Sequence, residues 1–242
     1  MPSSPDPLAR LAALEGVPSA LAAARDGIDV MLRDRGLRRT SPETTAESLL
    51  RGAAASAVLE GSTATLADVR EGRGDEVAAD AVRVSTELLG LAPLLSRSPL
   101  QAFARIHALA AARSPEDERG RPRAGGADRL RGLADLLTAP TVAPALLVAA
   151  VVHAELATAA PFGSHNGLVA RAAERLVIVA RGVDEKSLVV PEAGHLALRA
   201  AYESNLRGYA EGGAAGVHAW LLYAAEAYAA GAEASPLRRS AE

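Results

Sequence analysis

HAELATAAPFGSHNGLVARAAER, residues 153–175, reads as two helical segments joined by a turn. Upstream, the run Val142 to Val152 is the most apolar of the chain, far too short to span a bilayer, and is followed by His153 and Glu155. Asn166-Gly167 then stands just before a new apolar period. Backbone amides at a helix N-terminus form an anion site, and glycine lets a phosphate come close. His153 lies two helical turns before Ala160 on the same face and reads as a hydrogen-bonded core histidine rather than a catalyst.

Working outward, helical spacing predicts segments at roughly 8–24 with an interruption near 16–18, a continuation to about Arg35, and helices near 64–71, 75–91 and 98–112. Further helices are expected at 127–138, 141–158, 167–182, 192–210 and 213–231. Residues 1–7 are Pro/Ser-rich and read as frayed. A polar break at 38–40 precedes Ser41-Pro42-Glu43, a helix start in which Ser41 caps a free amide. That helix should end at Glu60-Gly61, with Gly61 taking the left-handed conformation. Residues 114–128 are dense in Gly, Pro and charge, and form the longest candidate loop.

Composition agrees with an all-α protein. Of 242 residues 49% are apolar, mostly Ala, Leu and Val, while aromatics are 3%. The absence of cysteine excludes disulfides, thiolate metal sites and a Cys nucleophile. A net charge of -3 gives no electrostatic reason to bind nucleic acid or a membrane. The N-terminus lacks the basic start and apolar stretch of a signal peptide, so a cytoplasmic protein is the default expectation. His107, His195 and His218 are scattered, and no pair has the spacing of a zinc site.

The 153–175 stretch resembles the signature of the Fic (Fido-fold) family, H-P-F-x-D/E-G-N-G-R-x-x-R. Pro161, Phe162, Asn166, Gly167 and Arg171 match it, and His153 and Thr158 match a common pattern just upstream. Ala160 stands at the catalytic His, Ser164 at the acidic position, His165 at the first Gly and Leu168 at the first Arg. A second motif, S/T-x-x-x-E-G/N of the self-inhibited class, fits Ser56-Ala57-Val58-Leu59-Glu60-Gly61 at every defined position. Residues 203–230, with Tyr209 and Trp220, resemble the family's closing helix pair.

The resemblance implies an all-α Fic/Fido-like helical core over residues 40–232, with the inhibitory helix at 41–61, an N-terminal helical extension at 1–39 and a tail at 233–242. It implies that Phe162, Asn166, Gly167 and Arg171 bind a nucleotide phosphate, and that Ser56, Glu60 and Gly61 form an inhibitory element in which Glu60 pairs with Arg171. The plainer reading of Glu60 and Arg171 is two solvated helix charges.

In active relatives the signature His is the general base, worth about 10²–10⁴ in rate, and Ala160 supplies none of it. Ser164 offers a hydroxyl where Mg²⁺ usually has a carboxylate, and reads more simply as a turn or N-cap residue. His165 adds a side chain where the family has none, limits positive φ, and reads as an exposed loop histidine. Residues 119–123 lie where the family places a flap that clamps a target strand, but Pro122 weakens strand pairing and the arginines read as solvated.

The expected function is a Fic-like pseudoenzyme that lacks AMP transfer and binds a protein partner or a nucleotide such as ATP, with Mg²⁺ poorly supported. One alternative is a transferase of AMP or phosphate with a rearranged site around His165, Asn166 and Arg171. A structural or regulatory subunit is the other.

Overall fold

The protein is described here by a computed structural model covering residues 6–34 and 41–238. The polar break at 38–40, residues 1–5, the end of the second helix at Arg35 and the last part of the tail lie outside the described residues.

At the centre stands a helical hairpin of α9 (Ala145–Ala159) and α10 (Asn166–Ala180). Ten of the fifteen residues of α9 are buried, so it presents no polar face and must lie inside the molecule. Residues 168–178 of α10 are all buried, with the charged Arg171, Glu174 and Arg175 among them. These charges need partners inside the protein, and that requirement shapes the site.

Around the hairpin pack α3 (Pro42–Leu59), α5 (Glu76–Leu88), α6 (Ala92–Arg97), α7 (Pro99–Ala110) and α8 (Gly126–Thr138). The helices α11 (Pro191–Ala197) and α12 (Arg199–Glu211) lie against the long α13 (Ala214–Glu233). The first helix, α1 (Pro7–Ala12), and α2 (Val17–Asp34) are not detached from this body. Leu21, Ala24, Ile28 and Met31 sit at helical spacing and bury one face of α2 in the common core, where α2 packs on α13. A short α4 (Leu66–Arg70) follows the end of α3. Among the described residues the only β-type pairing is a single antiparallel bridge, Pro122 to Phe162.

Several boundaries differ from the sequence reading. The helix expected over 75–91 is α5 followed by a 3-10 turn, and α6 is a separate short helix with Pro93 in its first turn. The helix expected over 192–210 is broken at Leu198, which has φ -108 and ψ 31. Ser41 precedes α3 but makes no side-chain cap bond; its hydroxyl lies 3.4 Å from Thr44 Oγ1. Asp6 and Pro7 are not frayed. Asp6 accepts from the Leu8 and Ala9 amides to cap α1, and from Thr141 Oγ1 and the Val142 amide to tie that cap to the core. Gly61 behaves as expected: its φ is +96, and the bonds Gly61 N to Val58 O and Ser62 N to Ala57 O close α3.

Candidate functional site

Glu60 ends α3 and Arg171 lies one turn into α10, and the hairpin brings them together. Arg171 Nη2 donates to Glu60 Oε1 at 2.6 Å. Its Nε donates to Ser56 Oγ at 2.7 Å, and its Nη1 to Tyr202 OH at 3.1 Å. The guanidinium is buried, while the Glu60 side chain keeps 29% exposure. Neither is a freely solvated helix charge. A β-carbon on Gly167 would collide with Glu60 Oε1, so the carboxylate rests against the first turn of α10. That turn carries the positive end of the helix dipole. An internal carboxylate therefore lies beside that helix end.

The turn itself is strained at both ends. Ala160 closes α9 at φ 43, and His165 precedes α10 at φ 57, both in the left-handed region. The expectation that a histidine at 165 would avoid positive φ is not met; the tight connection between the two helices imposes that conformation. Just after His165, Asn166 Oδ1 accepts from the Phe162 amide and Nδ2 donates to the Phe162 carbonyl, each at 3.0 Å. Asn166 thus braces the loop. Phe162 is buried and stacks on His107, with centroids 4.2 Å apart. Leu168, where the family has an arginine, is buried beside Ala81, Val84 and Leu88.

Residues 119–123 do more than meet solvent. The Arg123 amide donates to Pro161 O at 2.9 Å beside the Pro122 bridge, and the Arg123 guanidinium donates to the Ala159 and Ala160 carbonyls. It satisfies the open end of α9, a stabilising position for a cation.

His165 is not an exposed loop histidine. Its side chain is 26% exposed, with Nδ1 at 2.7 Å from Ser164 Oγ and Nε2 at 3.4 Å from Asp80 Oδ2. Asp80, on α5, is buried and held by Arg83 and Arg113 at 2.7 and 2.8 Å.

Deeper in the core, His153, Glu174 and His195 converge. Glu174 Oε2 accepts from His153 Nδ1 at 2.8 Å and His195 Nε2 at 2.9 Å, and Oε1 accepts from Tyr228 OH at 2.9 Å. The far nitrogens meet Tyr202 OH and Tyr223 OH. These three groups are of metal-ligating type and their donor atoms lie within 4.8 Å of one another. The sequence spacing of histidines concealed this, because α9, α10 and α11 meet only in the fold. Here each donor atom is already hydrogen-bonded, and the closed network reads as structure. Burial depresses the His153 imidazole to about 4, against the pull of Glu174. Burial pushes the Glu174 carboxyl up, but His153 and His195 outweigh it and hold Glu174 well below the usual range.

The sequence reading missed Asp80, His107, Glu174, Tyr202 and Arg175. Arg175 is buried and held by Ser48, Ser187 and Glu192. A charge at helical spacing inside an apolar run was the available signal for Glu174 and Arg175. Asp80 and His107 carry no local pattern.

No protein-family model matches the sequence, and a search of curated proteins found no match. The architecture does match solved structures. A Fic family protein from Desulfovibrio desulfuricans G20 superposes with a TM-score of 0.74 at 18% identity, over 91% of this chain and 74% of that one. Fic-1 from C. elegans gives 0.70 at 19% identity, over 90% of this chain and 71% of that one. With this order of helices around the α9–α10 hairpin, the chain has the all-α Fic, or Fido, fold.

Proposed function

We propose that this chain is a degenerate Fic-type protein that does not transfer AMP, and that its anion site is held closed by its own Glu60 until a partner or a nucleotide-like ligand displaces it. The observation that carries this reading is the Glu60 carboxylate seated against Gly167 and bonded to Arg171 at 2.6 Å. A bound phosphate would meet that negative charge at close range. Three further features support it. Ala160 offers no base, Ser164 offers no carboxylate for Mg²⁺, and Leu168 turns into the core where a phosphate-binding arginine would be needed.

Calorimetric titration of Mg·ATP into the purified chain tests the closed site. The wild type should show no saturable heat, and Glu60→Ala should bind about tenfold tighter or better, since removing a like charge beside the γ-phosphate is worth over a kcal/mol. Tight binding by the wild type, unchanged in Glu60→Ala, would remove the proposed role of Glu60.

A second reading is a divergent transferase with its site around His165, Asn166 and Arg171. It rests on the contacts of His165 with Ser164 and Asp80. Arg171 and Asn166 favour it less, because their polar atoms are already engaged within the protein.

A further inference from the structure

We propose that Ser164, His165 and Asp80 form a nucleophilic serine site that hydrolyses small, uncharged carboxylic esters, with the His107 imidazole donating to the oxyanion. This goes beyond the reading above and is independent of it, since the absence of AMP transfer leaves it intact.

A serine becomes a nucleophile when a base lies within hydrogen-bond reach of its hydroxyl and a third group orients that base. Ser164 Oγ lies 2.7 Å from His165 Nδ1, and His165 Nε2 lies 3.4 Å from Asp80 Oδ2. The tautomer with its proton on Nε2 points that proton at the carboxylate and leaves the Nδ1 lone pair for the serine O–H. Asp80 cannot wander, because Arg83 and Arg113 grip its two oxygens. His165 holds this geometry at a φ of 57, a conformation that costs energy in a non-glycine residue and is maintained by the surrounding structure.

A separate observation points to a ligand. His107 is 1% exposed, and its Nδ1 accepts from the Gly120 amide at 3.0 Å, so the ring proton sits on Nε2. No partner meets full hydrogen-bond geometry at that Nε2, although the Ser164 backbone lies close enough to pull on the imidazole. A buried donor left unsatisfied is costly and is expected where an acceptor arrives from outside. Burial and the neighbouring His165 hold the His107 imidazole down to about 4, a contact with the Ser164 backbone opposing them, so near neutral pH it is an uncharged donor.

His107 and Ser164 line the same cavity, of about 160 Å³. The cavity is half open to solvent, and a volume of roughly 150 Å³ seats a benzene-sized group, which fits a short acyl chain. The rim mixes Asp117 and Glu118 with Arg121 and Arg123, giving no preference for a charged ester.

The chemistry balances without a metal or a co-reactant other than water. Ser164 Oγ bonds to the ester carbonyl carbon as its proton passes to His165 Nδ1, and the carbonyl oxygen becomes an oxyanion that accepts from His107 Nε2–H. Collapse breaks the carbon–alkoxy bond, and the leaving alkoxide takes the proton from His165. Water then gives a proton to His165 and adds its oxygen to the acyl carbon. Ser164 Oγ leaves and recovers that proton, releasing the carboxylic acid.

A fluorophosphonate probe tests the site directly, since attack by Oγ forms a P–O bond and expels fluoride. Intact mass and peptide mapping should show one adduct per chain, on Ser164, absent in Ser164→Ala. In His165→Ala, or His165→Asn if the first fails to fold by melting curve, the labelling rate should fall about 10²-fold or more. p-Nitrophenyl acetate should be turned over and p-nitrophenyl octanoate should not. No adduct on Ser164, or labelling at an unchanged rate without His165, would overturn the proposal. Ester turnover that survives Ser164→Ala would overturn it as well.

Discussion

Arg171 shows how one residue joins motif and packing. It is 2% exposed and satisfied by Ser56, Tyr202 and Glu60, so removing Glu60 leaves a buried cation with only neutral partners. Glu60 is partly solvated, which discounts the cost below that of a fully buried pair. Glu60→Gln should therefore lower stability by about 1–2 kcal/mol, read as a shift in urea midpoint at constant slope. A variant as stable as the wild type would mean that the pair contributes little beyond geometry. The pairing was legible in the sequence because both members sit at fixed places in short motifs. Asp80 and His107 were not, because they reach the site from α5 and α7 through the fold alone.

At the scale of the element, the α9–α10 hairpin carries two checkable demands. Ala160 holds φ 43 at the end of α9, where the left-handed conformation costs a β-carbon about 1–2 kcal/mol. Ala160→Gly should stabilise the protein by about 0.5–1 kcal/mol after the larger chain entropy of glycine is subtracted, read by thermal melting. A lower melting temperature would show that the Ala160 methyl packs usefully. The interior of the hairpin is built on small residues, with Ala149, Ala150, Ala170 and Ala173 at 0% exposure. Ala173→Leu should destabilise by about 1–3 kcal/mol through overpacking; denaturant melts check this, and a neutral result would mean unfilled space along α10. The hairpin was legible because an apolar run is followed by an Asn-Gly helix start. The break at Leu198 was not, since no glycine or proline marks it, and α6 escaped although Pro93 was a usable sign.

Over the whole molecule, the buried network of His153, Glu174 and His195, with Tyr202, Tyr223, Tyr228 and the nearby Arg171, ties α9 to α13 and sets the response to acid. The folded His153 is held near 4 against an ordinary 6.5, so between those values the unfolded chain binds more protons. Its contribution is intact above about pH 6.5 and is lost as pH falls toward 4. Glu174 acts with the same sign: its depressed pKa gives stability above the ordinary carboxylate value of 4.5 that fades at lower pH. Together they should remove on the order of a few kcal/mol, visible as a melting temperature that is level near pH 7 and falls steeply below pH 6. A level profile down to pH 4.5 would show that His153 is protonated in the folded state. The helical class was legible in composition and the fold in two motifs. The convergence of three helices on one carboxylate was beyond any local pattern. No described helix is long and apolar enough to cross a membrane. The most direct test of the central claim is incubation of the wild type and Glu60→Gly with labelled ATP and Mg²⁺, alone and with added proteins. Neither should become labelled or label others, because opening the site exposes no base at Ala160. Strong Mg²⁺-dependent AMP labelling by Glu60→Gly would contradict it.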